Sequence, residues 1–229
     1  EKMSLSSAGV LTVSSTITAD SKDVILGKIE GTNFTGGLLI GHATSGTLND
    51  AQKNTGVGLA ALDALTSGDQ NTAVGNEAGT SITTGLRNVA IGDDALKDLS
   101  TNSFNTAVGA TAGENTTGQR NTYLGFAAGD NITSGSGNVI IGSTVDAASA
   151  TGSRQLVIAG IDASTTTTWI SGDSSGNLTF AADVTVGDDL NLTTDSSVIN
   201  FGADSEIKLT HVADTGLLLT DSGGTPTLQ

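Results

Sequence analysis

The sequence contains no cysteine and only one proline, and aromatic residues make up 3% of its 229 positions. The absence of cysteine excludes disulfides and thiolate metal sites. The shortage of large aromatic side chains argues against a single ordinary globular core. Glycine, by contrast, occupies 31 positions, about twice its usual share. Because Gly, Ser and Thr are poor helix formers, this composition favours an all-β, elongated chain.

Positive charge is also scarce, with 9 Lys and Arg against 24 Asp and Glu and a formal net charge of −15. Such a balance argues against nucleic acid as a partner. No apolar run approaches the roughly 20 residues that cross a bilayer, so we expect no membrane insertion. No signal peptide is visible. The chain starts at Glu1 and stops at Gln229 inside an alternating pattern, so we expect a piece of a longer protein.

An internal repeat organises the middle of the chain. Successive copies start 17 residues apart, except for one interval of 16 residues. A copy this short cannot bury its own apolar positions, whereas stacked copies bury them in continuous columns. The repeat therefore predicts a parallel β-roll, or β-solenoid, of about seven 16–17-residue coils. The copies are of the Asn-Thr-Ala-Val-Gly type and begin at Gly37 (a degenerate copy), Asn54, Asn71, Asn88, Asn105, Asn121 and Asn138.

Three columns of the repeat have structural roles in this interpretation. The opening Asn caps its own backbone and tolerates left-handed geometry, and the Gly after the strand makes the corner. The apolar residue before that Gly is expected to be buried. The columns are Asn54, Asn71, Asn88, Asn105, Asn121 and Asn138; Gly58, Gly75, Gly92, Gly109, Gly125 and Gly142; and Val57, Val74, Ile91, Val108, Leu124 and Ile141.

The coil that starts at Asn105 is the short one. Aligning Thr116-Thr117 with Thr83-Thr84 leaves Glu114-Asn115 opposite Thr80-Ser81-Ile82, so the missing residue is the apolar one. A deletion at a corner is absorbed by the loop, whereas a shift inside a strand turns side chains to the wrong face. We therefore expect an Ile inserted between Asn115 and Thr116 to be tolerated.

The flanks of the repeat alternate apolar and polar residues, which predicts strands. We divide the chain into an N-terminal β-rich module (1–36), the repeat roll (37–150), a transition segment (151–175) and a C-terminal β-rich shaft module that is truncated (176–229).

These segments resemble two known groups of proteins. The Asn-Thr-Ala-Val-Gly copies are similar to the head repeats of YadA-type trimeric autotransporter adhesins and to tail fibres of tailed bacteriophages. The segments Asp183–Leu190, Leu209–Leu219, Gln155–Ile158 and Trp169–Asp173 resemble fibres of marine phages, including cyanophages. The resemblance implies a homotrimer, in which three thin rolls together bury more surface.

Candidate chemistry outside the repeat is sparse. His42 fits a surface turn, and His211 fits a strand that could hold an ion on a trimer axis. Asp93-Asp94 and Asp188-Asp189 lack the spacing of a calcium loop and fit solvated turns. Trp169 fits a junction plug, with stacking on a sugar ring as the alternative. We therefore assign no catalytic, cofactor-binding or metal-binding residue, and expect no cofactor.

The sequence thus predicts a structural and adhesive segment of a phage tail fibre, located on the virion, and not an enzyme. Its expected partners are two further copies of itself, a host-cell surface glycan or protein, and other virion tail proteins. One alternative is a bacterial trimeric adhesin on the cell surface. Another is a polysaccharide-cleaving tailspike, which would need paired carboxylates in a groove.

Overall fold

The computed structural model describes residues 3–5, 11–13, 27–31, 34–40, 47–187, 190–191, 198–201, 207–212 and 216–221. Across these residues every regular element is a β-strand. The predicted all-β class with a parallel β-solenoid of about seven coils is confirmed. The chain divides into two units, Glu1–Ala182 and Asp183–Gln229.

The first unit contains a small sheet and the solenoid sheet. In the small sheet, Met3–Leu5 (β1) pairs antiparallel with Leu11–Val13 (β2). The strands of the solenoid sheet are Gly27–Gly31 (β3), Phe34–Ile40 (β4), Ala51–Gln52 (β5), Thr55–Val57 (β6), Thr72–Val74 (β7), Val89–Ile91 (β8), Thr106–Val108 (β9), Thr122–Leu124 (β10), Val139–Ile141 (β11), Leu156–Asp162 (β12), Thr165–Gly172 (β13) and Leu178–Phe180 (β14).

Strands β4 and β6 to β12 pair in parallel and in register, one strand per coil. Ala73, for example, lies opposite Ala90. The stack continues past residue 150, because Val157 of β12 lies opposite Ile140 of β11. Both ends of the stack are covered by antiparallel strands: β3 on β4 at one end, and β13 followed by β14 at the other. These strands pair the backbone groups that an open sheet edge would expose.

The middle residue of each three-residue strand points into the solenoid. Ala73, Ala90 and Ala107 are fully buried, or nearly so. The expectation that the following residue is buried was wrong, since Val74 and Leu124 are 39% and 48% exposed. Neighbouring strand residues point to opposite faces, so only one of these two columns can lie inside.

Two further columns complete the interior. One consists of small residues that lie seven positions after the repeat start, and the other of larger residues that lie eleven positions after it. Stacking places identical positions in contact from coil to coil, so each column is continuous. The buried members are Ala61, Ala78, Ala95, Ala112 and Ala128 in the first column, and Leu48, Leu65, Ile82, Leu99, Thr116 and Ile132 in the second.

The position of Thr116 corrects the reading of the short coil. Thr116 is fully buried and its N–H bonds to Gly113 O, as the N–H of Ile82 bonds to Gly79 O. The next residue, Thr117, bonds to the following coil through its hydroxyl, as Thr83 does. The missing residue is therefore the exposed one after Thr117. The apolar column is not interrupted by a gap, but a threonine occupies one of its positions.

The second unit contains an antiparallel three-stranded sheet. Its strands are Val198–Phe201 (β15), Ile207–Val212 (β16) and Gly216–Asp221 (β17), paired in chain order.

Candidate functional site

The asparagine column forms a continuous hydrogen-bonded ladder inside the solenoid. Asn105 Nδ2 donates to Asn88 Oδ1 (3.2 Å) and to Gly118 O (3.1 Å), the latter near the end of its own coil. Asn105 Oδ1 accepts the backbone N–H and the Nδ2 group of Asn121, at 3.0 and 3.2 Å. An amide side chain has two donor hydrogens and two acceptor sites, so each is used. This buried column has no hydrogen-bonding capacity left for a ligand.

The ladder ends at Gln155. Its backbone N–H and Nε2 donate to Asn138 Oδ1, as an asparagine would. Its Oε1, however, accepts the N–H of Ser149 (2.8 Å) and does not continue to a further coil. The extra methylene of glutamine turns the carbonyl back onto the preceding coil, which contains Ser149, so Gln155 caps the column.

The glycine column makes the corner after each strand. Gly92 has a φ of 137°, which L residues rarely adopt, and Gly75 and Gly109 have similar values. A Cβ at Gly92 would also overlap the carbonyl oxygen of Gly109 in the next coil. The corner therefore needs glycine both for its backbone conformation and for the close approach of successive coils.

The third predicted column, from Val57 to Ile141, lies on the outer surface of the parallel sheet. Together with the residue two positions earlier in each strand it forms what we call the strand face. These side chains are apolar or threonine, without a charged residue among them, although the chain carries a net charge of −15. The strand face consists of Thr55, Val57, Thr72, Val74, Val89, Ile91, Thr106, Val108, Thr122, Leu124, Val139, Ile141, Leu156 and Ile158.

Trp169 lies at one end of the strand face. Gly160 follows Ile158 on β12 by two residues, so both face the same side of the sheet. The Trp169 ring covers Gly160, where an added Cβ would lie 2.7 Å from two ring carbons. The Trp169 side chain is 55% exposed, so it does not plug a junction as predicted. Sequence reasoning missed its place on the strand face because the β12–β13 pairing was not foreseen.

None of the charged residues of the coils belongs to the strand face. Lys97 Nζ pairs with Glu77 Oε2 (2.8 Å) and with Asp94 Oδ1 (3.1 Å), and both contacts raise the pKa of Lys97. Asp94, which the sequence analysis assigned to a solvated turn, is thus bound to an ammonium group. Its neighbour Asp93 is exposed.

Three acidic residues on successive coils are close together: Glu114, Asp130 and Asp146. Partial desolvation, a hydrogen bond with Asp146, and repulsion from both neighbouring carboxylates raise the pKa of Asp130. Within the described residues no group of three His, Cys, Asp or Glu side chains could hold a metal ion.

A cleft of about 230 Å³ lies beside Gln155 and is also lined by Ser149 and Asp173. The Asp173 carboxylate accepts hydrogen bonds from Ser175 N, Asn177 N and Asn177 Nδ2, and the bonds from Asn177 are the main reason that its pKa is lowered. Asp173 therefore stabilises a tight turn.

The remaining candidates of the sequence analysis are not brought together. His211 lies in β16, opposite Leu217, in the second unit. His42 and Asp188-Asp189 lie outside the described residues. No helix in the described part of the chain could span a membrane.

The sequence analysis missed one column of mostly exposed residues. The residue before each repeat start has a left-handed backbone, with φ between 56° and 69°. This corner column has a basic residue in every second coil, a signal that is visible in the sequence once the repeat is aligned. It consists of Lys53, Gln70, Arg87, Phe104, Arg120, Gly137 and Arg154.

The fold thus defines the chain as a β-solenoid repeat protein. Comparisons with protein families, with curated proteins and with solved structures found no match.

Proposed function

We propose that this chain is a structural and adhesive segment of a phage tail fibre, which projects from the virion and presents surfaces for host-cell attachment without turnover. The observation that carries the proposal is the strand face. A stiff stack of coils with a hydrogen-bonded interior suits a shaft, and a flat uncharged face suits lateral association of such shafts. The assignment to phage tail fibres in particular rests on the resemblance of the repeat and its flanks to such fibres.

The proposed assembly is a homotrimer that buries the strand face. Val74, Ile91 and Leu124 are 39%, 38% and 48% exposed in the single chain, and they line up along the stack. A continuous exposed apolar surface is typical of an interaction site. Because the strand face carries no charge, copies of this acidic chain can meet there without bringing like charges together. The repeat geometry is constant along the stack, so identical copies match over its full length.

Assembly is tested with Leu124→Asp and the control Thr84→Asp. Both add one negative charge at an exposed position, but only Leu124 lies on the strand face. We expect native mass spectrometry to find trimers for the wild type and for Thr84→Asp, and monomers for Leu124→Asp. The fluorescence of Trp169, the only tryptophan of the chain, reports the same change. Its emission lies at shorter wavelength in the trimer, where the ring is shielded from water. A folded wild-type monomer would contradict the proposed assembly.

The virion location has its own test. Antibody raised against this chain should label the tails of phage particles in electron micrographs. Label on bacterial surfaces in the absence of phage would favour the trimeric adhesin. Release of sugars from capsule or lipopolysaccharide by the purified chain would contradict the proposal of a non-catalytic fibre segment and favour a polysaccharide-cleaving tailspike.

A further inference from the structure

The corner column holds four of the nine basic residues of this acidic chain: Lys53, Arg87, Arg120 and Arg154. All four side chains are exposed. Their equal left-handed backbone conformation directs the side chains out of the solenoid in the same way in each coil. The four basic residues therefore form a straight row along the stack.

The corner column is held in place by the backbone of neighbouring coils. Arg87 N–H donates to Asp69 O, Phe104 N–H to Leu86 O, and Arg120 N–H to Ser103 O, at distances of 2.9, 3.0 and 3.1 Å. Adjacent coils are separated by the strand spacing, about 4.8 Å, so basic residues in alternate coils are about 10 Å apart. The row thus presents four positive charges at a regular interval.

The positive charges of this row have no carboxylate partners among the described residues. The ion pairs of Lys97 with Glu77 and Asp94 involve none of these four residues. The carboxylate nearest to the row in sequence, that of Asp50, accepts a hydrogen bond from Gln52 Nε2, and that of Asp69, next to Gln70, accepts the Gln52 N–H. A chain with 24 acidic residues thus keeps four basic residues of this row available to an external anion.

Two of the guanidinium groups are positioned by uncharged neighbours. The Phe104 ring centre lies 5.6 Å from Arg87 Cζ and 5.4 Å from Arg120 Cζ, and it separates the two groups along the row. These cation–π contacts, with a 2.6 Å hydrogen bond from Arg87 Nε to Gln70 Oε1, restrict the arginine side chains. Restricted side chains lose less entropy when they bind a ligand. The terminal nitrogens of each guanidinium can donate in pairs to a carboxylate or sulfate.

We propose that the corner column binds a linear acidic polysaccharide with one anionic group per disaccharide. Two sugar rings in an extended chain span a distance similar to two coil spacings, about 10 Å, so successive anionic groups meet successive basic residues. This inference rests on the proposed adhesive function and names the chemical class of its glycan.

The test measures binding of the purified chain to hyaluronan octasaccharide, which has one carboxylate per disaccharide, and to keratan sulfate, whose charge is sulfate. Carboxyl-reduced hyaluronan is the neutral control. We expect binding to one or both charged probes that weakens with salt, and none to the neutral control. The probe that binds more tightly shows whether the row prefers a carboxylate or a sulfate. Failure of both charged probes would overturn the proposal, as would tighter binding to single-stranded DNA.

The variant series separates charge from spacing. Arg87→Gln with Arg120→Gln, which removes two positive charges from the row, should weaken binding at least about tenfold. Lys97→Gln, which removes one positive charge outside the row, should have little effect. Exchanging Gln70 and Arg87 keeps the charge but alters the interval, and it should also weaken binding. Equal affinity after the exchange would overturn the spacing argument.

Arg154→Gln provides a check that does not disturb the Phe104 contacts. It should lower the affinity for the octasaccharide to that for a hexasaccharide, and equal octasaccharide affinity in the wild type and the variant would contradict the four-site row. Dissociation of the trimer by the arginine variants would instead assign the row to contacts between copies and overturn the proposal. Failure of glycan binding leaves the labelling test of the virion untouched, so the two proposals fail separately.

Discussion

The hydroxyl groups of Thr116 and Tyr123 lie 2.9 Å apart inside the solenoid, on two successive coils. Thr116 occupies a column otherwise lined by Leu and Ile, and Tyr123 occupies the inward strand position where Ala107 lies one coil earlier. A Cβ at Gly113 or Gly129 would overlap the Tyr123 ring, so glycine at both positions makes room for it. Burial raises the pKa of Tyr123, and Thr116 supplies the hydrogen bond for its neutral hydroxyl.

This pair predicts strong coupling between two conservative substitutions. Tyr123→Phe leaves the Thr116 hydroxyl without a partner, and Thr116→Val does the same to Tyr123, so each should cost about 1–3 kcal/mol of unfolding free energy. The double variant removes both hydroxyls and should cost less than the sum. Denaturant unfolding of the four proteins measures the coupling. Additive losses would mean that the two hydroxyls do not interact.

The asparagine ladder predicts a large effect of Asn105→Ala. The substitution removes the acceptor of the Asn121 backbone N–H and Nδ2 group, and it removes the donor to Gly118 O. Because each buried polar group left without a partner costs about 1–3 kcal/mol, we expect a loss of about 3 kcal/mol or more.

Asn76→Ala is the matched control for Asn105→Ala. Asn76 is exposed, so the same substitution should change stability by no more than about 0.5 kcal/mol. Similar losses at the two positions, compared by thermal unfolding, would contradict a structural role for the ladder.

The raised pKa of Asp130 predicts a pH-dependent effect of Asp130→Asn. The folded state holds the proton of this carboxyl more tightly than the unfolded state does, so its contribution favours folding at low pH and is lost as the pH rises through the folded pKa. The variant should melt at a higher temperature than the wild type at pH 7, and the difference should shrink towards pH 3. Asp93→Asn, at an exposed aspartate, removes the same charge and controls for net charge. An equal gain from Asp93→Asn would assign the effect to overall repulsion.

The solenoid could be predicted from the sequence because the same repeat occurs in seven successive copies. Each coil needs a polar residue that saturates its own hydrogen bonds and a glycine where successive coils approach closely. Few residue types satisfy either need, so Asn71 and Gly75 recur in nearly the same form in the neighbouring coils. The repeat therefore gives the coil length and the register directly.

The sequence could not predict in the same way which residue of each strand faces the interior. Three residues are too few for an alternating pattern, and both Ala73 and Val74 are apolar, so either could lie inside. The short coil was misread for a related reason: Thr116 lies where apolar residues are usual, and its partner Tyr123 comes from the next coil. A one-dimensional alignment does not show that a buried hydroxyl is satisfied from a neighbouring coil.

Part of the candidate binding site could be predicted from the sequence. Lys53, Arg87, Arg120 and Arg154 all precede a repeat start, and they could have been found by reading down the aligned coils. Their common direction depends on the left-handed corner, and the position of Phe104 between two arginines depends on the stacking distance. Those two features come only from the structure.

The structure changes the expectation for an Ile inserted between Asn115 and Thr116. The insertion restores a 17-residue coil and places Ile at the interior position that Ile82 occupies, while Thr116 moves to the position of Thr83. The space is already filled by Tyr123, whose hydroxyl would lose its partner. We expect overpacking that costs about 1–3 kcal/mol, in addition to the unpaired hydroxyl.

Tyr123→Ala alone should also destabilise the solenoid, by about 3–5 kcal/mol, because it leaves a cavity beside Thr116. The two changes together reproduce the interior where the coils that start at Asn71 and Asn88 meet, because Ile82 and Ala90 are buried side chains of those successive coils. The inserted Ile can then occupy part of the space that the tyrosine ring left. We therefore expect the combined variant to melt at a higher temperature than either single variant. A loss equal to the sum of the two single losses would show that Thr116 and Tyr123 do not share one interior site, and that the assigned register of the short coil is wrong.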